Sequence, residues 1–186
     1  PGAYVALQEY QYQMFPLKFL ISIMNSIYGI PFTPTLEMLS ILIIFEILNE
    51  ASVRMPRYVG MALSVVGAIV LGETAVNAGL FSTPAILVIS ISTIGLYCVP
   101  DATEASSILR VLFVAIAGVA GLMGLILAAL ALIAYLADLR SFGTSYLAPF
   151  APLIERDWQD GLIKESVRDM TERPYSIPTW NRVRRR

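Results

Sequence analysis

Apolar and polar positions in this chain alternate in long blocks rather than residue by residue. Four apolar runs, 35–51, 58–81, 85–99 and 108–136, are divided by short turns carrying proline and charge. The second and fourth exceed the roughly 20 residues that take a helix across a bilayer, and the first and third fall short. The pattern predicts an all-α architecture whose helix ends are set by local punctuation. In PFTPTLEMLSILIIFEILNEASVRMP, residues 31–56, Pro34 suits a first helical turn, the run continues to about Ala51, and Pro56 excludes further helix. Glu37 falls in the first turn, where a carboxylate suits the helix dipole. Glu46, Glu50 and Arg54 follow at spacings of four, so they share one face, with Glu50 placed to pair with Arg54. Glu46 lies among Ile43, Ile44, Phe45, Ile47 and Leu48. An ionisable group at membrane depth should face protein or water, not lipid.

The flanking segments are read around that helix. Residues 1–13 look like the end of an earlier span, with Tyr4, Tyr10 and Tyr12 suited to an interface, and 16–27 suits a short interfacial helix. Gly60, Ser64, Ala68 and Gly72 recur every fourth residue, a stripe that permits close approach of a neighbouring helix. Glu73 and Asn77, again four apart, lie either at the far interface or along a polar cavity. The block 85–99 is open to three accounts: a short tilted helix, a broken helix or a re-entrant segment. Asp101 or Thr103 suits a helix N-cap, with Glu104 in the first turn and Arg110 at the start of the last span. That span carries Ala120, Gly124 and Ala128 at four-residue spacing, a second close-packing face, and no charge between Val111 and Ala137. Beyond it, Gly143, Pro149 and Pro152 prevent a long helix, Phe142, Tyr146, Phe150 and Trp158 suit a surface anchor, and 157–171 suits a surface helix.

Composition turns these blocks into a membrane protein: 56% of residues are hydrophobic, 15% charged, and mean hydropathy is +0.68. The net charge of −1 hides an uneven layout, because Arg182, Arg184, Arg185 and Arg186 crowd the end. If every block crosses once, that tail and the Arg54/Arg57 turn lie on opposite faces of the membrane. If one short block turns back, both lie on the cytoplasmic side, as positive charge prefers. The second arrangement is expected: a polytopic helical domain over 1–140 with short or re-entrant segments, and a polar cytoplasmic segment over 141–186. A single cysteine, Cys98, rules out an internal disulfide, and the absence of histidine rules out histidine catalysis and a Cys/His metal site. No catalytic residue, cofactor or metal is assigned, and the terminal arginines suit anionic headgroups better than nucleic acid. The chain starts at Pro1, so a preceding N-terminal part is expected.

Several stretches carry a resemblance. PFTPTLE with FEILNEASVRMPR, then VGAIVLGETAVNAGL, the proline-closed block ending CVP, and RSFGTSYLAPFAPL resemble the membrane domain of the GerA family, the A-type subunits of bacterial spore germinant receptors. The match runs from about Tyr4 to Leu153. It implies a multi-pass subunit of the spore inner membrane, preceded by a soluble domain. Such a subunit works with B- and C-type partners, responds indirectly to small nutrient germinants, and oligomerises into an ion-conducting channel. The matching positions include Pro31, Pro34, Glu37, Glu46, Glu50, Arg54, Pro56, Gly67, Gly72, Gly79, Pro100, Arg140, Phe142, Gly143 and Pro149. The chain departs from the family pattern at Leu42, where another carboxylate is usual, at Asn49, where a basic residue is, and at Glu73, where an amide is. The related stage-V sporulation protein shares these motifs.

These readings make Glu46, with Glu37, Glu50 and Glu73, candidates for an ion path or intersubunit seam. Glu50 and Arg54 form a structural pair. Against this stands a Glu46 buried on a neighbouring hydroxyl or amide with no transport role. A secondary transporter is the alternative class, and an intramembrane enzyme lacks any paired nucleophile and base.

Overall fold

A computed structural model describes residues 1–154, 157–158, 166, 172–177, 179–181 and 183, and some helical side chains, those of Arg57, Ser64 and Ala68 among them, lie outside the described residues. The expected surface helix at 157–171 and the basic tail Arg182, Arg184, Arg185 and Arg186 also fall largely or wholly outside them. The chain is mostly helical and divides into two compact units, Pro1–Ala128 and Ala129–Arg186.

In the first unit the helices are α1 (Gly2–Glu9), α2 (Leu17–Ile27), α3 (Pro34–Arg54), α4 (Arg57–Ile69), α5 (Ala75–Asn77), α6 (Thr83–Tyr97) and most of α7 (Thr103–Asp138). Local punctuation sets several of these ends, the predicted Pro34 and Pro56 among it. Thr33 caps α3 by accepting the Leu36 N–H at 3.4 Å, Pro34 occupies its first turn, and Met55 is extended ahead of Pro56. Helix α3 thus runs one turn beyond the expected stop at Ala51, where the Glu50–Arg54 pair braces its last turn. Ser82 caps α6 in the same way, accepting the Ala85 N–H at 3.3 Å. Gly79, at φ +68, ends α5 in the left-handed conformation, and the Leu80 N–H returns to the Ala75 carbonyl.

Two helices depart from regularity. The predicted run 58–81 is interrupted by a π-helical turn, Val70–Thr74, which holds Gly72 and Glu73. Helix α7 leaves helical geometry at Gly121, with φ +61 and ψ −151, a conformation that glycine adopts without the steric cost other residues carry. Block 85–99, for which a broken helix was one account, is instead an uninterrupted helix of 15 residues, about 22 Å long. The break belongs to the last apolar run.

Helix α3 is the hub of the core. Met38, Ile41 and Leu42 are fully buried and cluster with Tyr4, Val5 and Ala6 of α1, Ala85 and Ile89 of α6, and Val114 and Ala117 of α7. Leu42 is therefore part of the apolar core. The rest of α7 is different. The whole helix, Thr103–Asp138, is long and apolar enough to cross a membrane, yet only 22% of its apolar 18-residue stretch is buried. Val119, Met123, Leu127, Leu130 and Ile133 are exposed.

The second unit holds a small hairpin after α7, β1 (Arg140–Ser141) paired antiparallel with β2 (Thr144–Ser145) in the register Arg140 to Ser145 and Ser141 to Thr144. Its two-residue turn, Phe142 and Gly143, has positive φ at both positions, the geometry whose twist matches paired strands. Phe142 projects fully exposed at the tip. Farther on, Asp157 accepts the Tyr175 and Ser176 amides at 2.7 and 2.6 Å. Burial pushes its carboxyl up, but these hydrogen bonds outweigh that and hold it below the ordinary aspartate value. A carboxylate with a lowered folded pKa stabilises this junction above its unfolded pKa and loses that contribution as pH falls through the folded one. The Tyr175 and Ser176 amide proton resonances should therefore titrate together, with a midpoint below the ordinary aspartate value, and Asp157→Asn should abolish the titration. A midpoint above that value would contradict the arrangement.

Candidate functional site

The candidate carboxylates do not converge. Glu37 is buried in the core and receives the Ser82 N–H through Oε1, so one carboxylate serves the first turn of α3 and the N-terminus of α6 together. Glu50 is exposed and accepts the Arg54 Nε–H at 2.6 Å. Glu73 is exposed on the π-helical turn, and so is Asn77 beyond it. Glu46, one turn before Glu50 on α3, has a different partner.

From the middle of α3, Glu46 Oε2 lies 3.8 Å from Arg110 Nη2 of α7. The guanidinium is the more buried partner, with 13% of its side chain exposed against 44% for Glu46. Arg110 Nη1 also donates to Thr93 Oγ1 of α6 at 3.2 Å, and the Thr93 hydroxyl donates to the Ile89 carbonyl at 2.9 Å. One polar chain thus joins α3, α7 and α6. Beside it opens a largely apolar cleft of about 540 Å³ walled by Ile108, Val111, Leu112 and Ala115, with Glu46, Glu104 and Ser107 also on its lining. Arg110 was read in the sequence only as the start of a span. The available signal was the need of a carboxylate in an apolar helix for a cation, but no local spacing links positions 64 residues apart.

A second polar junction surrounds the break in α7. The Tyr10 hydroxyl donates to the Gly118 and Val119 carbonyls at 2.8 and 3.2 Å, and the Leu122 N–H donates to Gln11 Oε1 at 3.4 Å. Groups beside a helix break need such partners. Next to them Thr35 of α3 donates to Glu9. Tyr10, read in the sequence as an interfacial aromatic, is here a brace for the broken backbone.

The small-residue stripes divide. Gly60 is buried, while the side chains of Ser64 and Ala68 lie outside the described residues. A Cβ on Gly72 would meet nothing within 4 Å, whereas one on Gly67 would stand 3.1 Å from Leu48 Cδ1. Gly67 marks the close approach of α4 to α3. In α7 the break separates Ala120 from Gly124 and Ala128, and it is at Gly118 that a Cβ would run into Thr35 of α3. Among the described residues no cluster of histidine, cysteine or carboxylates could hold a metal ion.

Comparison with known proteins places these features in a lineage. The family model described as Bacillus/Clostridium GerA spore germination protein matches residues 1–176. The chain is 35% identical to spore germination protein KA of Bacillus subtilis (strain 168) over 186 residues, 99% of this chain and 34% of that protein. It is 34% identical to spore germination protein GerLA of Bacillus cereus over 181 residues, 96% of this chain and 37% of the relative. It is also 34% identical to the uncharacterized membrane protein YfkQ of Bacillus subtilis (strain 168) over 183 residues, 97% of this chain and 36% of the relative. The chain spans about a third of the length of the curated relatives it matches. No solved structure matches it.

Proposed function

The chain belongs to the GerA family of spore germination proteins, and on that premise we propose that it is a polytopic membrane portion of an A-type germinant receptor subunit. In this reading it sits in the spore inner membrane, assembles with copies of itself and with B- and C-type partners, and helps form or gate an ion path opened in response to nutrients. It conducts or gates rather than catalyses. The outward-facing apolar surface of α7 supports the membrane placement, because a helix so little buried needs lipid or a partner around it. The observation that carries the function is the half-exposed Glu46 carboxylate, set in the middle of an apolar helix beside the partly buried Arg110 and an open cleft.

The test is cation efflux from germinating spores carrying Glu46→Gln or Glu46→Ala in the full-length receptor. Glu46→Gln keeps the shape and removes the charge, and it should slow efflux at least about tenfold if the charge shapes the path, a barrier change near 1.4 kcal/mol. Normal efflux with unchanged receptor abundance in both variants would remove Glu46 from conduction.

The break at Gly121 favours one competing reading, a secondary transporter, since discontinuous helices commonly form transporter binding sites. Reconstituted liposomes separate the two: substrate accumulation against its gradient supports transport, and ion current without accumulation supports a channel.

A further inference from the structure

Helix α7 does not merely kink at Gly121; it turns back on itself. A Cβ on Gly124 would fall on Ala120 Cβ and stand 3.2 Å from Ile116 Cγ2, and one on Gly2 of α1 would stand 3.0 Å from both the Phe113 carbonyl oxygen and Leu125 Cδ1. Along a straight helix Ile116 and Gly124 are about 12 Å apart, and Phe113 and Leu125 about 18 Å. A helical bond from an N–H to the carbonyl four residues before it runs through the three residues between. Gly121, at φ +61 and ψ −151, therefore cannot carry the bonds from Leu122 to Gly118, Met123 to Val119 and Gly124 to Ala120. Three of the groups so released are taken up by two adjacent residues that follow α1. The Tyr10 hydroxyl donates to the Gly118 and Val119 carbonyls, and Gln11 Oε1 accepts the Leu122 N–H. The missing bond from Leu122 to Gly118 is thus replaced at both of its ends.

We infer that Tyr10 and Gln11 form a releasable latch: when they let go, the bond from Leu122 to Gly118 closes and the arm 122–128 swings away about Gly121. Release exchanges bonds to the latch for bonds within the helix, so neither state leaves Gly118, Val119 or Leu122 unpaired, and the element has two discrete arrangements. Glycine is the residue that can adopt both geometries at the pivot. A Cβ there would press on the latch as well, 3.1 Å from Cγ and Cδ2 of the Tyr10 ring. Little else holds the arm. Leu122 and Leu125 pack against the core, but Met123, Ile126 and Leu127 are exposed. Tyr10 is itself 48% exposed, so the latch can open without disturbing the buried cluster on α3.

The experiment uses the full-length protein in detergent, with Cys98→Ser and any other cysteine removed, and nitroxides attached through Leu112→Cys and Ile126→Cys, two exposed positions on either side of the break. Dipolar electron paramagnetic resonance then reads their separation, which would be about 21 Å along a straight helix and is shorter in the latched form. The parent should show one short distance. Tyr10→Phe combined with Gln11→Leu removes the latch bonds and should move the ratio of latched to open forms at least about tenfold toward a second, defined distance near the straight-helix value. Gly121→Ala should move it the same way by at least about tenfold, because alanine resists positive φ and favours the helix. A short distance retained in both variants, with only a lower melting temperature, would make Tyr10 and Gln11 a fixed brace and overturn the inference. A broad spread with no defined longer distance would overturn it too, since the arm would then fray rather than swing. Tyr10→Phe alone removes one oxygen from a half-exposed side chain, so it keeps the test open if Gly121→Ala fails to fold; by itself it should shift the ratio in the same direction, and no shift would count against the latch. These distances are read in purified protein without conduction, so a failure of the ion-path reading would appear in Glu46→Gln efflux and leave them intact.

Discussion

Gly118→Ala is expected to be among the most damaging single-methyl additions in the domain. A Cβ at Gly118 would fall on the Thr35 side chain, overlapping Cγ2 and Oγ1 and standing 2.9 Å from Thr35 Cβ. Rotating the threonine moves the first two atoms but not its Cβ, so α3 and α7 themselves must separate. They are fastened nearby by the Thr35 bond to Glu9 and by the Tyr10 hydroxyl on the Gly118 carbonyl. Overpacking a site that cannot relax costs about 1–3 kcal/mol, and this one belongs at the upper end. Gly72→Ala is the control. It adds the same methyl in open space and is expected to be neutral or stabilising by up to about 1 kcal/mol. Melting of full-length protein in detergent should thus show opposite or clearly separated shifts for the two variants. Thr35→Ala leaves the Cβ in place and should recover only part of the Gly118→Ala loss. Equal shifts at Gly118 and Gly72 would mean that helix spacing is not set at Gly118.

That contrast also shows what the sequence could carry. Gly72 sits in the small-residue stripe with a four-residue period while Gly118, with Val114 and Leu122 four residues away, does not, so the period does not say which glycine meets another helix. Closeness depends on how α3 packs, and that is a tertiary property. The ends of α3 were legible because Pro34 in its first turn and the bar imposed by Pro56 act within a few residues of themselves; the caps Thr33 and Ser82 are equally local, but they emerge only in the structure. The Glu50–Arg54 pair was legible for the same reason. The break in α7 was not, since Gly121 stands in an Ala- and Gly-rich run where a glycine reads as one more small residue. Its positive φ is met from a distance by Tyr10 and Gln11, over a hundred residues earlier. Glu37 was half legible: its own helix end is local, but the amide it receives comes from Ser82, 45 residues on.

The pair at Glu46 should behave asymmetrically, because its members are not equally buried. Glu46→Ala removes a carboxylate from beside the guanidinium of Arg110, at 13% exposure, and because the pair is only partly buried the cost should be about 2–3 kcal/mol, below the about 3–5 kcal/mol of a fully buried broken pair. The Thr93 contact keeps this loss nearer the lower figure. Arg110→Met leaves a carboxylate that is 44% exposed and can hydrate or turn into the cleft, so its cost should be smaller, about 1–2 kcal/mol. The double variant Glu46→Leu with Arg110→Met removes both charges and supplies apolar side chains of similar reach. Such replacements are often neutral or stabilising, so it should melt near the parent and show a coupling of at least about 2 kcal/mol in a double-mutant cycle. A cycle with no coupling would mean that the 3.8 Å approach carries no interaction energy. The same double variant separates folding from conduction more cleanly than either single change. If it is stable and present at normal abundance yet spores carrying it fail to release cations, the charge at Glu46 acts in the path itself. If efflux is normal, the pair only joins α3, α6 and α7, and the ion path runs elsewhere.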